Sequence, residues 1–268
     1  MKKYKFLKIQ ILYILRYIIG SARFVDISLP YSKKRFLFDK NTKQGSNLYI
    51  RDIDDWIQIE HIFLREEFNL SKTSRQDQIF NLYKKIISAN LKPLIIDIGA
   101  NIGLASKYFD IIYPSVHILA VEPEIGNYQV AQKNISKRTD LHLAAISSQN
   151  GMARLISTGR NVGFRVELNA NGQTKCVTVP DLLKNAVGEV PFLIKIDIEG
   201  FESNLFAENT EWIDLFPVLL VELHDWMLPQ KHVALNFLKE ISKRERDFMH
   251  FDGYVASIAS DLSIFKVL

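Results

Sequence analysis

The sequence predicts an α/β fold built around a doubly wound, mainly parallel β-sheet. From Pro93 onward, short apolar segments alternate with segments of helical periodicity, an order typical of parallel strands covered by helices on both faces. The 268 residues are 47% hydrophobic, which is enough to bury a large core. We therefore expect a main domain at 93–268, a cap at 26–92 and a separate basic segment at 1–25.

The region before Pro93 is predicted to cover the sheet. Apolar segments at 36–38 and 48–50, around a loop rich in Asn, Gly and Ser, indicate a β-hairpin. Two helices are expected at 54–68 and 78–89, because apolar residues recur there at helical spacing.

The main domain is predicted to contain strands and helices in alternation. Its buried strands are expected at 94–98, 116–121, 141–146, 192–197 and 218–222. Helical segments are expected at 103–113, 126–135 and 205–215, and shorter strands at 152–157, 164–168 and 176–179. At the C-terminus, segments 248–258 and 262–267 are predicted to pair around residues 259–261 and give the sheet an antiparallel edge.

The charge and the cysteine content exclude several classes of protein. The net charge is +4, but Lys and Arg are scattered rather than gathered into a stripe, which argues against a nucleic-acid partner. The single cysteine, Cys176, excludes an intramolecular disulfide and a multi-cysteine zinc site. This cysteine usage is typical of a reducing compartment and predicts a cytoplasmic protein.

The segment at 1–25 opens with basic residues and continues with an apolar run that Gln10 and Arg16 interrupt. It is too short and too charged to span a bilayer. An amphipathic helix lying on the inner face of the membrane is one interpretation. A signal peptide, which Arg16 disfavours, and a helix that docks on the core or on a partner subunit are the alternatives.

The first candidate site is the loop that runs from Asp97 to Gly103. Gly99 and Gly103 let a ligand approach the backbone, and the helix start offers unsatisfied N–H groups. Where a dinucleotide-binding loop has its second glycine, this chain has Ala100-Asn101. Asp97 disfavours a pyrophosphate and suits a cation, so the loop favours S-adenosylmethionine over a nicotinamide dinucleotide. A turn that needs glycine only for packing is the structural alternative.

The second and third strands supply further candidate cofactor contacts. Glu122, followed by Pro123, stands nineteen residues after Gly103 at a strand end, where a carboxylate can accept hydrogen bonds from both ribose hydroxyls. Small and apolar residues at 142–147, among them Ala145, can form one wall of an adenine slot. Ordinary core packing explains that last pattern equally well.

The run from Lys195 to Glu202 crowds ionisable groups onto the end of a buried strand, where they usually have a task. Asp197 and Glu199 are two residues apart and therefore face the same side of the strand, toward the crevice at the carboxyl ends of the strands. Lys195 is expected to pair with one of these carboxylates, either as a structural ion pair or to tune Asp197 electrostatically.

The next strand ends in Glu222-Leu223-His224. His224 is a candidate general base, because an imidazole takes a proton near neutral pH, although a structural histidine is the more common case. Asp197, Glu199 and His224 are also sterically suited to a metal ion, but no dense spacing of metal ligands demands one, so no metal is predicted.

Four motifs together resemble the FkbM-type family of S-adenosylmethionine-dependent methyltransferases. They lie at 97–103, 121–124, 195–202 and 221–224, and the Lys-x-Asp-x-Glu-Gly-x-Glu run is the most specific of them. The resemblance implies a class I, Rossmann-like sheet of seven strands with a reversed final strand, and O-methylation of a sugar or other small-molecule hydroxyl. The first forty residues and the loop at 158–174 fall outside it.

The sequence therefore suggests a division of roles at one crevice. We expect the methionine part of the cofactor to be held by Asp97, Gly99, Ala100, Asn101 and Gly103, and the ribose by Glu122. We expect the acceptor hydroxyl to lie among Asp197, Glu199 and His224, with His224 or Asp197 as base and Glu199 as an orienting group. The rivals are a nicotinamide-dependent oxidoreductase and a non-catalytic module that binds the cofactor. The acceptor and the oligomeric state are not predicted.

Overall fold

The centre of the protein is a mainly parallel sheet of seven strands. The structure is a computed structural model and describes residues 11, 23–29, 32–157, 163–251 and 253–263. The strands of this sheet are β4 Lys92–Ile98, β5 His117–Glu122, β6 Thr139–Leu143, β11 Glu189–Ile196, β12 Val218–Glu222, β13 Arg246–Phe251 and β14 Tyr254–Ala259. Their order across the sheet is β13-β14-β12-β11-β4-β5-β6. Only β14 runs against its neighbours. The predicted Rossmann-like fold with an antiparallel hairpin at one edge is confirmed.

Apolar side chains cover both faces of the sheet because its central strands are continuous apolar runs. Ile95 and Leu193 point into one core, and Ile96 and Ile194 into the other. This two-faced burial is the property that the apolar runs indicated. The helices of the main domain are α3 Leu104–Ile112, α4 Ile125–Asn134, α5 Val179–Leu183, α6 Glu202–Leu205 and α7 Leu235–Ile241, with 3-10 turns at Glu211–Leu215 and His224–Trp226.

The C-terminal hairpin turns at Gly253, so the predicted turn at residues 259–261 is wrong. Phe248 pairs with Ser257 across the two strands, and Gly253 has a φ of 94°. A tight hairpin requires such a left-handed residue, which glycine provides without strain. The consequence is functional, because the turn brings Tyr254 to the carboxyl end of β12.

The predicted third strand at 141–146 is also wrong as a single element. β6 ends at Leu143, and β7, Ala145–Ile146, belongs to a second sheet of order β7-β10-β8-β9. The other strands of that sheet are β8 Gly151–Ile156, β9 Arg165–Leu168 and β10 Thr174–Val177. The chain switches sheets at Ala144, whose N–H donates to the carbonyl of Glu122 at 3.2 Å.

The cap consists of a three-stranded sheet and two helices packed on one face of the main sheet. Its elements are β1 Phe24–Asp26, β2 Lys34–Asp39, β3 Gln44–Tyr49, α1 Ile53–Ile59, a π-helical turn Glu60–Leu64, a 3-10 turn Leu70–Lys72 and α2 Gln76–Ser88. Asn134 ties the cap to the main domain, since its Nδ2 donates to the carbonyls of Tyr49 at 3.0 Å and Ile102 at 2.8 Å. The cap therefore supports the loop between β4 and α3.

The basic segment predicted at 1–25 lies outside the described residues, except for Ile11 and residues 23–25. Its interpretation as a membrane-contacting helix stays a prediction. Within the described part of the chain, no helix combines the length and the apolar character needed to cross a membrane.

A buried histidine joins three strands at the amino-terminal end of the sheet. His117 on β5 contacts Glu189 on β11 through Nδ1 at 2.7 Å and Asp140 on β6 through Nε2 at 3.1 Å. The hydrogen bond with Glu189 raises the pKa of His117, although burial and the nearby Lys92 oppose the shift.

We predict that replacing His117 with Asn destabilises the protein only at acidic and neutral pH. Because the folded state raises the pKa of His117, its stabilising effect is full below about pH 6.5 and is lost as the pH rises through the folded-state pKa. Urea unfolding should show a loss of about 1.5 kcal/mol at pH 6 that shrinks toward pH 9. The same change at the exposed His232 is the control, and a loss that is independent of pH would contradict the assignment.

Candidate active site

Two adjoining cavities open at the carboxyl ends of the central strands. The smaller has a volume of about 60 Å³ and the larger about 600 Å³. Gly99, Asn101, Asp197 and Glu199 line both cavities. A ligand in one cavity therefore meets a ligand in the other at these four residues, which belong to the two motifs that the sequence singled out.

At Gly99, the backbone of the loop after β4 packs against the segment that follows β11, the neighbouring strand in the sheet. A Cβ atom at Gly99 would lie 1.8 Å from the carbonyl oxygen of Asp197, and the residue has a φ of 76°. Only glycine meets both conditions. Gly103, with a φ of 79°, caps α3, and Asn101 also adopts a left-handed conformation with a φ of 50°.

Asp97 lies beneath this loop rather than in either cavity. Its side chain is fully buried, accepts a hydrogen bond from Ser106 Oγ at 2.6 Å and lies 3.3 Å from Lys195 Nζ. The expectation that Asp97 itself faces the cofactor is therefore wrong, because its carboxylate is bound by Lys195 and Ser106. Asp97 positions the loop from below.

Lys195 connects the loop at 97–103, called here the cofactor loop, to Asp197 on the acceptor side of the crevice. Its buried ammonium group donates to the carbonyl of Gly99 at 2.8 Å and lies 3.5 Å from Asp197 Oδ2, in addition to its contact with Asp97. Burial alone would lower the pKa of Lys195, but the charges of Asp97 and Asp197 outweigh burial and raise the pKa. Lys195 therefore remains a cation and pairs with both carboxylates rather than one.

Glu122 lines the smaller cavity, with its carboxylate held by neighbouring donors. It accepts hydrogen bonds from the N–H groups of Asn101 at 2.8 Å and Glu124 at 2.9 Å, and from Asn127 Nδ2 at 3.1 Å. Burial raises the pKa of Glu122 to about 7 despite these bonds. Pro123 and Ala145, both predicted cofactor contacts, line the same cavity.

The larger cavity carries a ring of carboxylates at its inner end. Asp197, Glu199 and Glu222 line it, and the hydroxyl of Tyr254 donates to Asp197 Oδ2 at 3.1 Å. His224 lies just below the ring, 2% exposed, with Nε2 3.6 Å from Asp197 Oδ1 and 3.8 Å from both Glu199 Oε2 and Glu222 Oε1. The residues predicted for the acceptor side are thus together.

The predicted role of His224 as the general base does not fit its surroundings in the structure. Burial disfavours the imidazolium, but the hydrogen bond to Glu202, at 2.8 Å from Nδ1, and the surrounding carboxylates raise the pKa of His224 to about 9. The imidazole therefore already holds its proton at neutral pH. The carboxylates above it are the better proton acceptors.

Three residues of this site were not predicted. Glu202 and Glu222 belong to the motifs at 195–202 and 221–224. Glu202 lies three residues after Glu199, and Glu222 lies two residues before His224, and these spacings are the signal that would have identified them. Tyr254 had no such signal, because its place depends on the hairpin turn at Gly253.

We predict that replacing Gly99 with Ala destabilises the protein by about 1–3 kcal/mol and lowers its affinity for S-adenosylmethionine at least tenfold. The added Cβ would collide with the Asp197 backbone and push the two halves of the crevice apart. Thermal unfolding and calorimetric titration measure the two effects. Gly151 is the matched control, since a Cβ there meets nothing within 4 Å, and equal behaviour of both variants would refute the close-approach argument.

Comparison with solved structures shows similarity to methyltransferases. TomG, an O-methyltransferase from Streptomyces achromogenes solved in complex with S-adenosylmethionine, is 12% identical over 79% of this chain and 92% of that chain, with a TM-score of 0.41. A methyltransferase from Geobacter sulfurreducens is 14% identical over 78% and 90%, with a TM-score of 0.38. A search of curated protein sequences found no match.

The sequence of the crevice matches a known domain. A family described as the methyltransferase FkbM domain matches residues 97–255, more than half of the chain. The matched range begins at Asp97 and includes Tyr254, so it covers the lining residues that the main domain contributes to the larger cavity. The match confirms methyl transfer as the activity and S-adenosylmethionine as the cofactor. The chain belongs to the FkbM family of methyltransferases.

Proposed function

We propose that the protein methylates a hydroxyl group of a sugar or a similar polyhydroxylated small molecule. The observation that carries the proposal is the larger cavity, which adjoins the cofactor loop and has carboxylates at its inner end and an indole ring at its mouth. Its volume of about 600 Å³ lies in the range of small-molecule sites.

The residues of the smaller cavity fit S-adenosylmethionine. Glu122 offers a carboxylate to the ribose hydroxyls, and Ala145 and Phe164 offer an apolar wall to the adenine. Within the described part of the chain, Asn101 Oδ1 and Asn127 Oδ1 are buried acceptors without a hydrogen-bond partner, and the ammonium and amino groups of the cofactor are donors.

The carboxylates at the inner end of the larger cavity suit an acceptor with several hydroxyl groups. A hydroxyl donates a hydrogen bond to a carboxylate. Among the described residues, Glu199 and Glu222 have only ion-pair contacts of 3.8 Å with His224 Nε2, so each can still accept a hydrogen bond from the acceptor. Trp226, 74% exposed, lines the same cavity and offers a flat apolar surface to the C–H face of a sugar ring.

The cofactor supplies an electrophilic methyl group on a positively charged sulfur when it is bound. The protein has to place the acceptor oxygen at the edge where the two cavities meet and remove its proton. Asp197 and Glu199 line that edge and orient the hydroxyl. Asp197 is held by Tyr254 and Lys195, whereas Glu222 is not hydrogen-bonded by described residues and lines only the acceptor cavity, so we assign proton removal to Glu222.

We predict that the Glu222→Gln variant loses about 100-fold or more in kcat while its affinity for S-adenosylmethionine stays within twofold of wild type. The amide keeps the size of the side chain but accepts no proton. A transfer assay with labelled cofactor and a panel of neutral glycans and sugars measures kcat, and calorimetry measures cofactor binding. Glu211→Gln is the matched control, since Glu211 is exposed and lines neither cavity.

Full turnover by Glu222→Gln would remove Glu222 as the base. Failure of the wild-type protein to methylate any hydroxylated acceptor in the panel, with cofactor bound, would count against the proposed acceptor class.

We predict that Trp226→Ala raises the KM for the acceptor about tenfold with little change in kcat, because it removes a stacking surface remote from the reacting atoms. Trp226→Phe, which keeps an aromatic face, should restore most of the affinity. A fall in kcat at unchanged KM would assign Trp226 a different role.

A further inference from the structure

We infer that Asp197, Glu199 and His224 form a binding site for a single divalent cation at the inner end of the acceptor cavity. Each residue offers one ligand atom, and these atoms lie within 4.8 Å of one another. The inference deepens the proposed function, since such a cation would hold the acceptor oxygens, but its test does not depend on that function.

The orientation of His224 is the observation that distinguishes this cluster from a chance group of acids. Its Nδ1 is 2.8 Å from Glu202 Oε1, which directs Nε2 at the carboxylates of Asp197 and Glu199. A cation bound at Nε2 would displace the proton that this nitrogen carries in the metal-free protein. Glu202 is itself fully buried and accepts from the N–H groups of Ile198 and Gly200, at 3.4 Å and 3.3 Å. A histidine that ligates a metal is typically fixed in this way, by a carboxylate on its other ring nitrogen.

The carboxylates of Asp197 and Glu199 are also placed to bind the cation. Nε2 of His224 lies 3.6 Å from Asp197 Oδ1 and 3.8 Å from Glu199 Oε2, so a shift of a few tenths of an ångström brings all three atoms to bonding distance of one ion, about 2.0–2.2 Å. Glu199 has a left-handed backbone, with a φ of 56°, which is uncommon for this residue type. The strained backbone carries the Glu199 carboxylate to the edge of the cavity, beside His224.

The donor set indicates the kind of ion. One imidazole nitrogen and two carboxylate oxygens suit Mn²⁺ or Zn²⁺ better than Mg²⁺ or Ca²⁺, which prefer oxygen alone. Because Asp197 and Glu199 line the acceptor cavity and His224 lies beneath them, the open side of the ion faces the acceptor. Two neighbouring hydroxyls of a sugar would complete its coordination and be fixed in one orientation.

The test titrates MnCl₂ into the full-length, chelator-treated protein without cofactor or acceptor. We expect one Mn²⁺ per chain by calorimetry and an ¹⁴N coupling to the bound ion by pulsed electron paramagnetic resonance. Glu199→Gln should lower the affinity at least tenfold, and His224→Asn should abolish the ¹⁴N coupling. Glu202→Gln should weaken binding about 10- to 100-fold through the orientation of His224.

Two matched variants serve as controls. Glu211→Gln and His232→Asn make the same chemical changes at exposed residues that line neither cavity, and both variants should bind Mn²⁺ as wild type does. Should His224→Asn fail to fold, as judged by circular dichroism, the half-buried Glu199→Gln still decides the question. The inference is overturned if the wild type does not bind Mn²⁺, or if wild type and Glu199→Gln bind it equally. Neither result bears on the proposed methyl transfer, which the assay with labelled cofactor tests separately.

Discussion

The crevice depends on one buried cation, the ammonium group of Lys195. It contacts Asp97 on β4, the carbonyl of Gly99 in the cofactor loop and Asp197 just beyond β11. Burying any of these charges alone would cost several kcal/mol, so each is tolerable only with the others in place. The same interaction that makes the charges stable also fixes the distance between the cofactor loop and the acceptor side.

This arrangement explains why two cavities meet at so few residues. Gly99 leaves no room for a side chain between the loop and the Asp197 backbone, and both residues line both cavities. A methyl transfer needs donor and acceptor in contact with water excluded, and a shared edge of this kind supplies that proximity without any large movement of the sheet. The reversed strand β14 adds Tyr254, whose hydroxyl donates to Asp197 Oδ2, the oxygen that Lys195 also contacts.

The sequence predicted those parts of the fold and site that local patterns encode. Apolar runs predicted the central strands, and the loop from Asp97 to Gly103 was placed correctly because glycine spacing is a local property. The break after Leu143 and the position of Tyr254 depend on pairing between distant strands, which periodicity does not report. The protonation of His224 was missed for a similar reason, since it depends on how many carboxylates the fold gathers around one imidazole.

The balance of charge at the end of the crevice is the last constraint. Asp97, Asp197, Glu199, Glu202 and Glu222 face only Lys195 and His224 as cations within contact distance among the described residues. Repulsion from Asp197 adds to burial in raising the pKa values of Glu199 and Glu222. A site of this kind favours positively charged ligands, and the cofactor and a divalent cation both carry the charge that it lacks.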